Sequence, residues 1–262
     1  MKHSYLKYYD KYSLLAPLRF LWDSALYREQ RKKPALIKRM HDYIELNRDS
    51  DMLSFHARLH KILYEGSLHW KSYDYGEGYL YQSLRKLKLR GFRDTEGRVL
   101  AMDLGSRVSG KRVLEIGCNT GFLSVHIAAS ARSVVGFDLA PHLIEVAREV
   151  TSYLRITNVN FHVSSFEEFH SDERFDVVIS FANHSTYDGN THQSLEEYFN
   201  RCAFFLAPDG IFLFESHPPE HEGSGLAEVC RLIGDKFSID SCEVLNYGSF
   251  LDRNRTFITA RM

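Results

Sequence analysis

The stretch Val113-Leu114-Glu115-Ile116-Gly117-Cys118-Asn119-Thr120-Gly121-Phe122-Leu123 joins an apolar run to the start of a helix through a turn that holds two glycines. A run of this kind suits a strand buried on both faces of a parallel sheet. Gly117 and Gly121 lack a Cβ, so the backbone there can pass close to a ligand. Asn119, between them, tolerates the left-handed conformation that such a turn often needs. In an open α/β sheet, a turn at the carboxyl end of a strand is where ligands bind.

Outward from this turn the grammar is regular. Short apolar runs at 112–116, 133–137, 159–163, 176–181 and 211–214 alternate with helical stretches at 120–130, 141–154 and 192–206. That alternation is what a parallel sheet with right-handed crossovers requires. The tail differs, because segments 237–245 and 256–260 flank a turn-rich stretch and read as an antiparallel hairpin. Asp138 ends the second strand, roughly 20 residues past the glycine turn, where a carboxylate can accept from both hydroxyls of a ribose. A nicotinamide dinucleotide site shares that acid but uses G-x-G-x-x-G. Here Glu115, Gly117, Asn119 and Gly121 alternate instead.

On these residues the chain resembles the class I S-adenosylmethionine-dependent methyltransferases. Their first motif, E/D-x-G-x-G-x-G, is matched by Glu115, Gly117, Asn119 and Gly121, with Asn119 replacing the middle glycine. The resemblance continues through Asp138, Ser164-Ser165-Phe166-Glu167-Glu168-Phe169, and Phe175-Asp176-Val177-Val178-Ile179-Ser180. Leu206-Ala207-Pro208-Asp209-Gly210 matches the family's L-x-P-G-G turn, with Asp209 for the first glycine. The resemblance covers residues 111–262. It implies a doubly wound α/β domain with a seven-stranded, mostly parallel sheet in the order 3-2-1-4-5-7-6, the last strand antiparallel. Residues 1–110 are then a helical N-terminal extension or lid.

The family's roles carry over residue by residue. Gly117 and Gly121, with Asn119, would face the amino-acid part of S-adenosylmethionine, and Glu115 would order that turn or the ammonium. Asp138 would hold the ribose and Leu139 would pack on the adenine. Ser165, where relatives commonly place Asp, would accept from the adenine amino group beside Phe166. Ser180 and Phe181 would lie near the reactive methyl. The product would be S-adenosylhomocysteine.

Two polar loops follow the fourth and fifth strands, Asn183-His184-Ser185-Thr186-Tyr187-Asp188 and Glu215-Ser216-His217-Pro218-Pro219-Glu220-His221. Loops at these places supply acceptor groups in such sheets. A histidine, with an ordinary pKa near 6.5, can take a proton from a hydroxyl at neutral pH. His184 and His217 are therefore the candidate bases, with Asp188 or Glu215 to orient the ring. Thirteen histidines also make two loop histidines unremarkable as mere surface residues. No metal-ligand pattern stands out. Amino methyltransferases of nucleic acids carry D/N/S-P-P-aromatic after the fourth strand. This chain has Phe181-Ala182-Asn183-His184 there, which disfavours that chemistry.

The first hundred residues read as helices. Pro17 and Pro34 suit first turns, and Asp49 or Ser50 could cap a helix through Met52, Phe55, Leu59, Ile62 and Leu63 that Gly66 would end. The Tyr-rich stretch with Tyr73, Tyr75 and Tyr79 reads as a loop feeding a short helix and as lid residues over the cofactor, with Arg93 nearby. Asp94 then opens one amphipathic helix with Val99, Leu100, Met102 and Leu104 inside. This segment would either cover the cleft or form a homodimer contact, and deleting residues 1–70 is expected to harm activity more than fold.

Composition sets the outer limits. A chain of 262 residues with 44% hydrophobic and 26% charged residues is globular, not disordered. No apolar run reaches the length of a membrane span. Met1-Lys2-His3-Ser4-Tyr5 lacks the apolar core of a secretory signal, and Cys118, Cys202, Cys230 and Cys242 form no Cys-x-x-Cys pair, so a cytoplasmic protein with reduced thiols is expected. Residues 1–100 carry 20 basic and 12 acidic residues (+8) and the remainder 13 and 22 (−9), giving the net −1. The basic segment reads as a solvated helical face or as a surface for an acidic partner. The leading expectation is O-methylation of a small molecule or glycan, phosphorylated or carrier-linked. An RNA-modifying methyltransferase and a non-catalytic S-adenosylmethionine-binding module are the alternatives.

Overall fold

The computed structural model describes residues 49–70, 80–184, 192–217, 220, 222–247 and 254–262, with residues 64 and 67 described by backbone alone. The helices expected after Pro17 and Pro34, the tyrosines 73, 75 and 79, and Asp188 lie outside the described residues. The chain enters as α1 (Ser50–His69), capped by Asp49, whose Oδ1 accepts from Met52 N at 3.0 Å. Gly66 does not end it. A Cβ at Gly66 would lie 2.2 Å from that of His142, so the glycine lets α1 press against a later helix while the backbone stays helical.

Between α1 and the main sheet the structure departs from an all-helical reading. Strands β1 (Leu80–Gln82) and β2 (Gly91–Arg93) pair in parallel as a small separate sheet. Helices α2 (Thr95–Ala101) and α3 (Leu104–Arg107) replace the single expected helix. Asp103, with φ of +47°, breaks the run, and Leu100 consequently faces solvent while Met102 and Leu104 are buried.

From residue 112 the order is β3 (Arg112–Ile116), α4 (Phe122–Ile127), β4 (Ser133–Asp138), α5 (Pro141–Tyr153), β5 (Val159–Val163), β6 (Phe175–Phe181), α6 (Leu195–Phe205), β7 (Leu206–Glu215), α7 (Gly223–Gly234), β8 (Ser238–Leu245) and β9 (Arg255–Arg261). The sheet order β5-β4-β3-β6-β7-β9-β8 is the expected 3-2-1-4-5-7-6. Only β9 runs against its neighbours, pairing antiparallel with both β7 and β8. The Leu206–Gly210 turn is continuous with β7, and Asp209 takes a φ of +59° where relatives place glycine.

Alternate residues of the central strands feed opposite faces, as the period of two demands. Leu114, Ile116, Val178, Phe212 and Phe214 pack towards α6 and α7, while Val113, Val177, Ile179 and Leu213 pack towards α4 and α5. A third cluster joins the N-terminal segment to this domain: Phe55, Leu59, Leu80, Leu84 and Leu87 meet Phe122, Val125, Val146 and Val150. Phe55 also stacks on Tyr153 of α5, with ring centroids 4.1 Å apart. Among the described residues no helix is long and apolar enough to cross a membrane.

Candidate functional site

The carboxyl ends of β3, β4 and β6 meet at one cleft, lined by Ile116, Gly117, Phe137, Asp138, Leu139, Ser164, Phe166, Asn183 and Tyr198. The glycine turn reaches it through Gly117, whereas a Cβ at Gly121 would meet Phe161 and Ala147 of the core. Gly117, Asn119 and Gly121 all adopt positive φ, at +64°, +54° and +69°. At Gly117 a Cβ would also stand 2.9 Å from the Asn183 side chain, so this position has both a conformational and a spatial reason to be glycine.

Asp138 fixes the turn from the neighbouring strand. Its Oδ2 accepts from Asn119 N at 2.9 Å and its Oδ1 from Ala140 N at 3.0 Å. Both carboxylate oxygens are thus engaged by backbone N–H groups of the loops that follow β3 and β4. Glu115 is buried behind the turn and accepts from Ser124 Oγ of α4. Burial pushes its carboxyl up to about 7, against the opposing pull of the Ser124 bond and the Arg98 charge. From the small sheet, Gln82 Oε1 accepts from Phe122 N at 2.9 Å and so satisfies a first-turn N–H of α4.

Of the remaining residues expected to touch the cofactor, Leu139 and Phe166 line the cleft. Ser165 turns towards Glu168: its Oγ donates to the carboxylate at 3.0 Å and accepts from Glu168 N at 3.1 Å, while Ser164 takes the place on the lining. Ser180 is wholly buried and bonded to Tyr198 and Asn183, and Phe181 packs edge-on against Phe257 beneath the Arg98 guanidinium.

Tyr198 and Asn183 are site residues that sequence reasoning missed. The Tyr198 hydroxyl donates to Asn183 Oδ1 at 2.7 Å and shares a second bond of 2.7 Å with Ser180 Oγ. Asn183 Nδ2 in turn donates to the Ile116 carbonyl, tying the loop after β6 to the end of β3. Burial pushes the Tyr198 phenol well up, which keeps it a donor. Its ring stacks on Phe166 at 4.4 Å and meets His184 edge-on at 4.9 Å. A tyrosine at the start of a helix reads as core, and nothing local marks it otherwise.

His184 is brought to the rim of this cluster with Nδ1 3.6 Å from Glu220 Oε1. The His217 carbonyl accepts from Glu220 N after β7. Glu215 does not orient either histidine. It is buried against Arg93 Nη2 at 2.8 Å and Arg98 Nη2 at 3.0 Å and accepts from the Tyr247 hydroxyl at 2.7 Å. Burial works to raise its pKa, but the Arg93, Arg98 and Arg255 charges prevail and hold it at about 2. Arg93, expected beside a lid, is therefore a buried partner of β7. Among the described residues, no group of three His, Cys, Asp or Glu side chains is placed to hold a metal ion.

A family model described as "Methyltransferase domain" matches residues 107–241. The ubiquinone biosynthesis O-methyltransferase of Aromatoleum aromaticum is 40% identical over 80 residues, which cover 29% of this chain and 33% of that protein. The magnesium-protoporphyrin O-methyltransferase of Rhodobacter capsulatus is 32% identical over 92 residues, covering 35% of this chain and 41% of that one. The chain thus spans only a third to two fifths of the length of these curated relatives. Among solved structures, the N-methyltransferase NodS from Bradyrhizobium japonicum WM9 superposes with a TM-score of 0.52 at 18% identity, covering 62% of this chain and 92% of that one. The same protein in complex with S-adenosyl-L-homocysteine gives 0.51 at 16% identity, covering 63% and 86%. At these identities the likeness is one of fold.

Proposed function

Because the chain belongs to the methyltransferase domain family, we propose that it is an enzyme that moves the methyl group of S-adenosylmethionine to a hydroxyl of a small molecule or glycan. The observation that carries the donor half is the pairing of the positive-φ turn at Gly117–Gly121 with the Asp138 carboxylate, which holds Asn119 N and lines the cleft. The residues fit such a ligand. Gly117 lets the turn lie against the Asn183 side chain at the cleft, Ile116, Phe137, Leu139 and Phe166 offer apolar faces for an adenine and a thioether, and Asp138 and Ser164 offer polar contacts to a ribose.

When bound, the sulfonium supplies an already activated methyl carbon. What this chain's residues must do is bind, align and deprotonate. Tyr198 and Asn183 fix the floor beside the end of β6, and His184 stands over Tyr198 with a carboxylate on its far nitrogen. A base at that place favours a hydroxyl acceptor, because a neutral amine can attack without one. His184 is the proton acceptor in this reading. The described N-terminal segment, with Gln82 capping α4, supports the cofactor turn as an appendage of this domain.

The test is calorimetric titration of the full chain with S-adenosylmethionine, S-adenosylhomocysteine and NAD. The sulfur compounds should bind and NAD should not. Heat from NAD alone would overturn the donor assignment. Turnover is then followed as S-adenosylhomocysteine release over a panel of hydroxylated and aminated acceptors, and preference for amines would overturn the acceptor half.

A further inference from the structure

We infer that Glu220 is the positioning residue of His184: its carboxylate holds the imidazole as the Nδ1-protonated tautomer and so leaves Nε2 as the proton-accepting atom. The catalytic meaning rests on the reading of His184 as base, but the tautomer itself does not.

Three observations converge on this. Glu220 is buried, with 3% of its surface exposed, and its N–H donates to the His217 carbonyl after β7. The carboxylate then stands 3.6 Å from His184 Nδ1, a separation that a small shift of either side chain converts into a hydrogen bond. The ring also meets Tyr198 edge-on, at 79°. Tyr198 cannot swing away, because its hydroxyl is held by Ser180 and Asn183 and its ring by Phe166.

The choice of nitrogen follows from donor and acceptor chemistry. An ionised carboxylate only accepts, so a neutral imidazole facing it must present N–H there, and its other nitrogen is then the acceptor. Glu215, the other buried carboxylate after the fifth strand, is held by Arg93 and Arg98 and does not compete for the ring. Without Glu220 that selection is lost, and the intrinsic preference of an imidazole is for the Nε2–H form.

The experiment is a long-range ¹H–¹⁵N correlation spectrum of the uniformly ¹⁵N-labelled full chain, recorded over a pH series and read where the spectrum itself shows a neutral ring. The His184 signals are identified by their loss in His184→Asn. Wild type should show the Nδ1–H pattern, and Glu220→Ala should turn it into a majority Nε2–H pattern. An Nε2–H ring in the wild type, or an unchanged tautomer in Glu220→Ala, would each overturn the inference. If the alanine variant does not fold, the wild-type spectrum still decides. Neither donor nor acceptor is needed for this readout, so its failure stays separate from a failure of the base assignment, which turnover of His184→Ala tests.

Discussion

Arg93 and Glu215 form a buried ion pair of 2.8 Å across 122 residues of sequence, joining the small N-terminal sheet to the carboxyl end of β7. Arg98 takes the second carboxylate oxygen, and Tyr247 donates to the first. Removing one partner of a buried pair leaves an uncompensated charge, which typically costs about 3–5 kcal/mol. Glu215→Gln should therefore lower the unfolding free energy by that order in urea titrations at neutral pH. The gap should depend on pH in a defined direction. The folded-state pKa of Glu215, about 2, lies below its ordinary 4.5, so its stabilisation is complete above about 4.5 and fades as pH falls towards 2. The wild type and Glu215→Gln should converge over that window. A gap that stays constant down to acid pH would show that the carboxylate is not the source.

Asp138 carries the next prediction. Asp138→Ala should weaken S-adenosylhomocysteine binding by about 1.5–3 kcal/mol, the worth of hydrogen bonds to a charged acceptor. Part of that loss would come through the turn, because Asn119 N loses its partner as well. Asp138→Asn keeps one accepting oxygen and should fall between the two in calorimetry. Equal affinity of Asp138→Ala and wild type would place the ribose elsewhere.

How far the sequence announces such features depends on whether they are local. Strands β3 to β7 are legible because a buried parallel strand is a continuous apolar run, and the glycine turn with Asp138 is legible because turn chemistry depends on near neighbours. The three-residue strands β1 and β2 carry no period to read. The break at Asp103 is invisible because a non-glycine residue at positive φ is set by packing. Helix α7 is a different kind of miss: its buried Val229, Leu232 and Ile233 are at helical spacing, but its glycine-rich start hides the boundary. Pairings such as Arg93 with Glu215 and His184 with Glu220 depend on the topology and appear only once β7 is placed beside β6.

Gly66 gives a test of how the N-terminal segment is attached. Its missing Cβ lets α1 approach His142 of α5, and Phe55 and Leu59 bury themselves in the same contact. Gly66→Ala improves intrinsic helix propensity yet forces the two helices apart, so it should destabilise by about 1–3 kcal/mol, as overpacking does. For the same reason deletion of residues 1–70 should lower thermal stability as well as turnover, since it strips α1 from the third cluster and leaves Phe122 and Val146 less covered. A truncated chain that melts with the full one would show that α1 is dispensable to the fold.

His184 is the residue on which the acceptor chemistry turns. It follows β6 by three residues, rests on Tyr198 of the cleft lining, and has Glu220 on its Nδ1 side. General-base assistance is typically worth about a hundred- to ten-thousand-fold in rate. His184→Ala should lower S-adenosylhomocysteine release, measured on the acceptor found by panel screening, by at least that lower bound. Cofactor affinity should barely change, because Asp138 and the glycine turn stay intact. His217→Ala keeps the carbonyl that accepts from Glu220 N and should cost less. If instead His217→Ala abolishes turnover and His184→Ala does not, the base lies on the β7 side of the cleft. If both variants keep normal rates, the enzyme works by alignment of an acceptor that arrives already deprotonated.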